Sequence, residues 1–307
     1  MERMEQELIK HRYLEATQSF IDKVKEDSNV IAVIVAGSLA YYQVWEKSDI
    51  DMTLIVRDQV LKNESYCIVE DDITINVHLI VRSGFKRYLD SLPGGSFGHS
   101  YFSRGQIMYC TDDSLIEYFE DFKHMGSDDQ ALTVFIIACE LVHQCDKCRK
   151  WLTVKKDPLY AQFYLLKAAD NIARMEVCLH GEAPSREAIL KAFTLNPDMI
   201  TPYYQGAMSH HYSVEEIEAA IVKLEGYLEH HLDIIKRPVV EYMADGEMKT
   251  VTMITKYFHT DSHFITGIFD FLCEMGVIAK VSQTIRITPK SRKAVEELAY
   301  QYYLGSD

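Results

Sequence analysis

The sequence has no hydrophobic run as long as a membrane-spanning helix, which needs about 18–20 apolar residues. Its longest apolar runs, Val30–Ala36 and Leu132–Cys139, have the lengths found in protein cores. Positive charge is also in deficit, because 46 acidic against 32 basic side chains give a formal net charge of −14. We therefore expect no membrane partner and no general affinity for nucleic-acid backbones, whereas a cation-dependent site suits this balance.

Cysteine is scarce and scattered, with seven residues in the whole chain. An odd, irregularly spaced set is typical of reduced thiols, so we expect a cytoplasmic protein. The first residues, MERMEQELIKHRYLEATQSFIDKV, predict a charged amphipathic helix rather than a signal peptide. The sequence has no internal repeat and no low-complexity segment, and its 307 residues predict two or three globular domains.

Hydrophobic periodicity divides the chain into three predicted domains. Residues 1–125 alternate helices and strands, whereas residues 126–238 have helical periodicity interrupted at proline-containing turns. Residues 239–307 predict helices around a short hairpin, VIAKVSQTIRIT, and a closing helix over Pro289–Tyr302. The predicted fold class is α+β: a mixed sheet with flanking helices, followed by an all-α domain and a tail that resembles a winged helix.

Two aspartates stand one residue apart at the start of a predicted strand, Ile50–Val56. Because side chains two residues apart share a face of a strand, Asp49, Asp51 and Thr53 face one side and the apolar residues face the other. Neighbouring carboxylates repel each other, and a divalent cation removes that repulsion. Oxygen ligands of this kind suit Mg²⁺ together with substrate phosphates. A solvated strand edge with no ligand is the alternative interpretation.

A Gly-Ser pair precedes these aspartates. Gly37 and Ser38 follow the predicted strand Val30–Ala36, and ten residues (39–48) separate Ser38 from Asp49. A glycine lets the backbone approach a phosphate closely, and its amide and the serine hydroxyl can donate hydrogen bonds to phosphate oxygens. The loop and the aspartates together predict a site for a nucleoside triphosphate and its metal ion.

This arrangement resembles the nucleotidyltransferase domain of the DNA polymerase beta superfamily, whose signature is a strand, Gly-Ser, a spacer of similar length and Asp-x-Asp within an apolar strand. The resemblance covers about residues 30–120. It implies that Asp49 and Asp51 hold Mg²⁺ and that Gly37 and Ser38 position the phosphates of ATP or another nucleoside triphosphate. It also implies transfer of a nucleoside monophosphate, AMP in the first place, to a hydroxyl acceptor on a small molecule or a protein.

The chain departs from the family pattern at the third carboxylate, which usually lies on the neighbouring strand. The strand predicted over Ile73–Val81 carries Asn76 and His78 on its polar face, so one of these fills the expected position. Tyr42 is a second departure, since the family often has another glycine there. The third acid of the resembling enzymes helps to bind metal and activate the acceptor. A slower enzyme, a base supplied by another residue and a nucleotide-binding relic all remain open.

The helical region offers a substitute base. In ALTVFIIACELVHQC (131–145), which is apolar almost all round, Glu140 and His143 lie three residues apart on one helix face. Such a carboxylate can act as a general base, and a hydrogen-bonded structural pair is the alternative. The small-molecule nucleotidyltransferases that the chain resembles close their acceptor pocket with a helical domain.

The predicted winged helix raises the question of DNA binding, which such folds usually achieve through the second helix of their helix-turn-helix. The candidate helix, DSHFITGIFDFLCEM, has no lysine or arginine and carries Asp261, Asp270 and Glu274. Because phosphate contacts need cations, we do not expect DNA as a partner. We expect a structural role or contact with a protein partner or a second copy of the chain. The alternative function is a nucleotide-binding regulator, weak or inactive as an enzyme, that acts through this tail.

Overall fold

The structure, a computed structural model, describes residues 2–40, 44–92, 97–123, 126–184, 187–288, 290 and 292–303. The chain forms two compact units, Met1–Met125 and Gly126–Asp307. The boundary between them lies where continuous helical periodicity begins in the sequence. The helical segment and the tail belong to the same unit, and their separation into two domains stays a prediction.

The first unit has an α+β fold. Its helices are α1 (Glu2–Val24), α2 (Gly37–Ala40), α3 (Arg82–Asp90), α4 (Phe97–Ser103) and α5 (Asp113–Lys123), and its strands are β1 (Val30–Ala36), β2 (Ile50–Val56), β3 (Ser65–Glu70), β4 (Ile73–Val81) and β5 (Gln106–Cys110). Within the described residues the sheet has the order β3-β4-β2-β1-β5. β2 and β4 run parallel and the other neighbours antiparallel, so the sheet is mixed, as predicted.

The residues of β2 alternate between two cores. Ile50 and the alternate apolar residues after it pack in a cluster with Tyr13 of α1. Ile55 belongs to the opposite cluster, which contains Phe85 of α3. Because neighbouring side chains of a strand point to opposite faces, Asp51 lies on the face away from α1. The predicted facing of this strand is therefore confirmed.

Two elements of the first unit differ from the prediction. The sequence does not predict β3, which is an edge strand exposed over most of its length and has no clear alternation of apolar and polar residues. The stretch PGGSFGHSYFSRG predicts turns because it is rich in glycine and serine, and its first four residues lie outside the described part of the chain, but Phe97–Ser103 form a helix. His99 and Phe102 of this helix are buried. Tertiary packing thus offsets the low helix propensity of the segment.

The second unit is mostly helical. Its helices are α6 (Ser127–Thr153), α7 (Pro158–Leu179), α8 (Ala188–Leu195), α9 (Pro197–Ile200), α10 (Ala207–Ser209), α11 (Val214–His230), α12 (Leu232–Tyr242), α13 (Val251–Phe258) and α14 (Ser262–Glu274), with a π-helical turn at Pro202–Gly206. Strands β6 (Lys249–Thr250), β7 (Ala279–Ile285) and β8 (Val295–Gln301) form an antiparallel sheet in the order β6-β8-β7. α6 packs against α7, α11, α12 and α14 and is the centre of the unit.

The predicted closing helix over Pro289–Tyr302 is wrong. Val295–Gln301 form β8, which pairs with β7 so that Tyr300 lies opposite Lys280. VIAKVSQTIRIT therefore contributes one strand and not a complete hairpin. The glutamate, leucine and alanine of β8 favour a helix, but burial of Tyr300 and Ala299 in the sheet overrides this preference. The two helices predicted before it are present as α13 and α14.

All seven cysteines are free, as their scattered positions predict. Burial raises the pKa of Cys148 and of Cys178 to about 12, so these thiols stay protonated at neutral pH. Across the described residues, no helix combines the length and the apolar character required to cross a bilayer.

Candidate functional site

The two aspartates lie at the beginning of an interior strand. Asp49 is exposed and immediately precedes β2, whereas Asp51 is half-buried within it. β2 lies between β1 and β4 in the sheet, and Asp51 is directly opposite Asn76 in the parallel β2–β4 register. Backbone pairing on both sides therefore holds the position of Asp51.

Asn76 bridges the two carboxylates. Its Nδ2 donates a hydrogen bond to Asp49 Oδ2 at 2.6 Å and a longer one to Asp51 Oδ1 at 3.4 Å. These bonds from a neutral amide offset part of the repulsion between the aspartates. Among the residues that the structure describes, no group of three His, Cys, Asp or Glu side chains is placed to hold a metal. The structure thus places the Asn76 amide beside both aspartates.

Gly37 contacts this pair closely through its backbone. Its φ of +69° lies in the left-handed region that favours glycine. A Cβ atom on Gly37 would lie 2.6 Å from Asp51 Oδ2, closer than van der Waals contact permits. The sequence predicts that Gly37 allows a phosphate to approach the backbone. The structure shows in addition that the Asp51 side chain leaves no room for a Cβ atom at position 37. Ser38 follows in α2 and is half-buried.

The segment that leads into Asp49 is anchored to α1. Tyr13 Oη donates a hydrogen bond to the Ser48 carbonyl at 2.6 Å, and the Trp45 amide donates to Ser48 Oγ at 3.0 Å. Burial raises the pKa of Tyr13, which keeps its hydroxyl protonated as a donor at neutral pH. The sequence reading missed Tyr13 because 35 residues separate it from its acceptor. Tyr42 lies outside the described residues.

His78 lies two positions beyond Asn76 on the same face of β4, which is about 7 Å along the strand. Its Nδ1 is 3.3 Å from Ser65 Oγ, within hydrogen-bonding distance, and its ring centroid is 5.9 Å from that of Tyr88. β3 also places Cys67 opposite Asn76. Ser65 and Cys67 could be predicted as neighbours of this site only if β3 itself were predicted. The sequence of β3 does not predict a strand, because its apolar and polar residues do not alternate clearly.

Glu140 lies in α6, in the second unit, where it accepts a hydrogen bond from a side chain that is itself hydrogen-bonded. Asn171, which is 3% exposed, donates through Nδ2 to Glu140 Oε2 at 2.9 Å, and Arg174 donates to Asn171 Oδ1 at 3.2 Å. His143 packs its ring 5.1 Å from that of His263, and burial lowers the pKa of His143. In the first unit the structure brings Gly37, Asp49, Asp51 and Asn76 together, while the role of Glu140 as a base stays a prediction.

The donor atoms at the pair fit a hard divalent cation. Asp49 and Asp51 offer carboxylate oxygens, and the Asn76 amide offers an oxygen if its side chain rotates. Mg²⁺ prefers oxygen ligands and commonly uses one or two carboxylates with water and substrate phosphates for the rest. Such a set can bind the phosphates of a nucleotide through a shared cation.

No protein-family profile matches this chain, and no curated protein matches it. Among solved structures, the chain is similar to the crystal structure of a nucleotidyltransferase-like protein from Exiguobacterium sibiricum 255-15. The similarity has a TM-score of 0.63 at 16% sequence identity and covers 94% of this chain and 99% of that chain. At this identity the similarity shows the fold. The chain therefore has the fold of a nucleotidyltransferase-like protein.

Proposed function

We propose that this chain is a nucleotidyltransferase that transfers a nucleoside monophosphate, AMP in the first place, from a nucleoside triphosphate to a hydroxyl acceptor. The observation that carries the proposal is the convergence of two carboxylates and a left-handed glycine at the start of the interior strand β2. A solvated strand edge would not need a glycine beside Asp51. The fold of the solved neighbour supports the same reaction class.

In this proposal Asp49 and Asp51 hold Mg²⁺, and Gly37 and Ser38 donate hydrogen bonds to the β- and γ-phosphates. When bound, the cation offsets the negative charge that develops as the pyrophosphate leaves. The anchored Ser48 carbonyl and the paired strand β2 hold the aspartates in place before the ligand arrives. This preorganisation limits the rearrangement that nucleotide binding requires.

The acceptor hydroxyl must lose its proton while its oxygen attacks the α-phosphorus. Asn76 cannot take that proton, because an amide is not a base in this pH range. His78 is the proton acceptor on the same sheet face, and Glu140 is the alternative from the second unit. The acceptor itself is a small molecule or a protein side chain, and the site is proposed to act in the cytoplasm.

A nucleotide-binding regulator is the second candidate function. The observation that favours it is the Asn76 amide, which occupies the position of the third acid and donates to both aspartates. Such a site would bind a triphosphate with its cation but turn it over slowly or not at all. The tail would then pass the signal to a protein partner or a second copy of the chain.

Thermal unfolding tests the site itself. A non-hydrolysable ATP analogue with Mg²⁺ should raise the melting temperature of the native protein more than the analogue alone does. A ligand of the folded state adds about 2.7 kcal/mol of stability at a concentration 100-fold above its Kd. In Asp49→Asn/Asp51→Asn the Mg²⁺-dependent part of the shift should disappear, because the carboxylates that hold the cation are gone.

Asp71→Asn/Asp72→Asn is the matched control. These two aspartates are exposed in the turn between β3 and β4 and have φ values of 51° and 61°, which asparagine tolerates. The control removes the same number of negative charges from the same unit, and it should keep the full Mg²⁺-dependent shift of the melting temperature. An equal loss in both double variants would locate the cation effect elsewhere and contradict the proposal.

A further inference from the structure

A cleft in the second unit has the features of a separate ligand site. It lies between the C-terminal end of α7, the start of α9 and the C-terminal end of α11, and its volume is about 610 Å³. Its polar lining includes Glu176, Asn196, Lys223, Tyr227 and His231. None of these residues belongs to the Asp49–Asp51 pair, which is in the first unit.

Glu176 is a buried acid without a cationic partner in the described part of the chain. The residue is 3% exposed, and its Oε1 accepts a hydrogen bond from Asn196 Nδ2 at 2.8 Å. No described Lys or Arg makes an ion pair with it. Lys223 lines the same cleft but donates its Nζ hydrogen bond to the Asp198 carbonyl at 2.5 Å. Burying a carboxylate is costly unless a cation and hydrogen bonds compensate it.

Tyr227 is the second buried polar group of the cleft. It is 8% exposed, and its hydroxyl makes no hydrogen bond of regular geometry among the described residues, although it lies close enough to the Glu176 carboxylate to interact with it. Burial raises the pKa of Tyr227, and the charge of Glu176 and a hydrogen-bonding contact with its carboxylate raise it further. A buried hydroxyl beside a buried carboxylate is a pair that a hydrogen-bonding ligand can satisfy.

His231, one of the histidines that line the cleft, does not supply the missing positive charge at neutral pH. His231 packs its ring 4.7 Å from that of Tyr227, and burial lowers the pKa of His231. The imidazole is therefore neutral near pH 7. Aromatic faces from Tyr227 and His231, with Leu179 and Met199, give the cleft apolar walls around Glu176, and Asp198 is a second acidic residue of its lining.

We propose that this cleft binds a small organic cation, a ligand with an amidinium, guanidinium or ammonium group on a compact apolar body. The cationic group donates hydrogen bonds to the Glu176 carboxylate and compensates its charge. The apolar body packs against the cleft walls. The Asn196 side chain fixes the orientation of the Glu176 carboxylate through its hydrogen bond. Asn196 is itself held in place because its Oδ1 accepts a hydrogen bond from the Met199 backbone amide at 3.1 Å.

Benzamidine and its neutral isostere benzamide test this proposal on the full chain by calorimetric titration at pH 7. Benzamidine should bind with a Kd of about 10 mM or tighter, the range expected of a ligand of this size. Benzamide should bind at least about tenfold more weakly, because it brings no charge to Glu176. Glu176→Gln should remove the preference, since glutamine keeps an acceptor for Asn196 but has no charge.

Glu229→Gln is the charge-matched control, because Glu229 is an exposed residue of α11, the helix that carries Tyr227, and does not line this cleft. It should leave the preference for benzamidine intact. Lys223→Met provides a second variant at an exposed position, so the test does not depend on Glu176→Gln folding. Removing that competing cation should tighten benzamidine binding about threefold and leave benzamide unchanged.

Three results would overturn the proposal. They are equal affinity for benzamidine and benzamide, no benzamidine binding up to about 10 mM, and a preference that survives in folded Glu176→Gln. If Glu176→Gln does not fold, unchanged benzamidine affinity in Lys223→Met overturns it instead. These results are independent of nucleotide binding, because none of the variants touches the first unit.

Discussion

At the residue scale, the sequence predicts which side chains lie together at the candidate site, but it does not predict the contacts that support them. Asp49, Asp51 and Asn76 follow from the alternation of strand residues, and the structure places them together. Tyr13 could not be predicted, because its bond to the Ser48 carbonyl depends on how α1 packs. Local periodicity determines which face a side chain occupies. It does not determine which distant side chain meets it there.

The bridge made by Asn76 leads to a prediction about the apo protein. Asn76→Asp removes a donor to both aspartates and places a third negative charge beside them. Without a divalent cation, the variant should lose about 1–3 kcal/mol of stability. With Mg²⁺, the extra oxygen ligand should make the stabilisation larger than in the native protein. Calorimetry over a range of Mg²⁺ concentrations measures both effects.

Asn63→Asp controls for added charge, because Asn63 is exposed in the same unit. This variant should show neither the apo destabilisation nor the stronger Mg²⁺ response. If Asn76→Asp instead left the Mg²⁺ dependence unchanged, the amide would not occupy a ligand position. The same variant also bears on function, since faster pyrophosphate release with a competent acceptor would favour the enzyme over the regulator.

At the element scale, the interior strands β1, β2 and β4 were predictable, whereas the edge strand β3 and the last strand β8 were not. β1, β2 and β4 have the bounds that the sequence predicts, because their apolar runs have few other solutions. β8 has the composition of a helix, and only its partners β6 and β7 make it a strand. Contacts within the tail also account for an acidic residue of α14. Asp270 accepts hydrogen bonds from Lys280 at 2.9 Å and from Tyr300 at 3.0 Å.

Asp270 should therefore stabilise the tail. Asp270→Ala leaves the hydroxyl of the fully buried Tyr300 without its acceptor, which should cost about 1–3 kcal/mol. Adding Tyr300→Phe removes the orphaned hydroxyl and should recover part of the loss. Urea unfolding followed by fluorescence in a Trp45→Phe background reports on the second unit, because Trp151, the other tryptophan of the chain, lies there.

The control for this pair is Asp261→Ala. Asp261 is exposed and precedes α14 without a side-chain capping bond, so its removal should have little effect. Equal destabilisation by Asp261→Ala and Asp270→Ala would mean that general helix electrostatics matters more than the buried hydroxyl. Failure of Tyr300→Phe to recover stability would point to the Lys280 pair instead.

At the scale of the whole molecule, the sequence predicted the fold class, but it did not predict the long-range contacts between helices. The α+β class and the nucleotidyltransferase-like fold follow from the pattern of strands and the Gly-Ser…Asp-x-Asp motif. The sequence predicts a separate winged-helix domain, which stays a prediction, and in the structure α14 packs against α6 within the second compact unit. A Cβ on Gly267 would lie 3.5 Å from Val142 Cγ1, so this face of α14 is occupied.

This packing and the net charge of −14 give a prediction for DNA. The full chain should bind duplex DNA no tighter than the nonspecific range of about 10⁻⁴–10⁻⁶ M at physiological salt. α14 has no lysine or arginine to contact a guanine, and Lys280 is paired with Asp270. Fluorescence anisotropy against a genomic fragment library measures the affinity. Sequence-specific binding in the nanomolar range would contradict this prediction and would favour the nucleotide-binding regulator over the nucleotidyltransferase as the function of the chain.

The interior position of β2 also determines how the first unit should exchange its amide hydrogens. β2 pairs with β1 on one side and β4 on the other, so its amides are released only when the sheet opens as a whole. A nucleotide bound at the start of this strand would then slow exchange across the entire sheet and not only at the residues it touches. The candidate site is thus coupled to the most slowly opening part of its own unit.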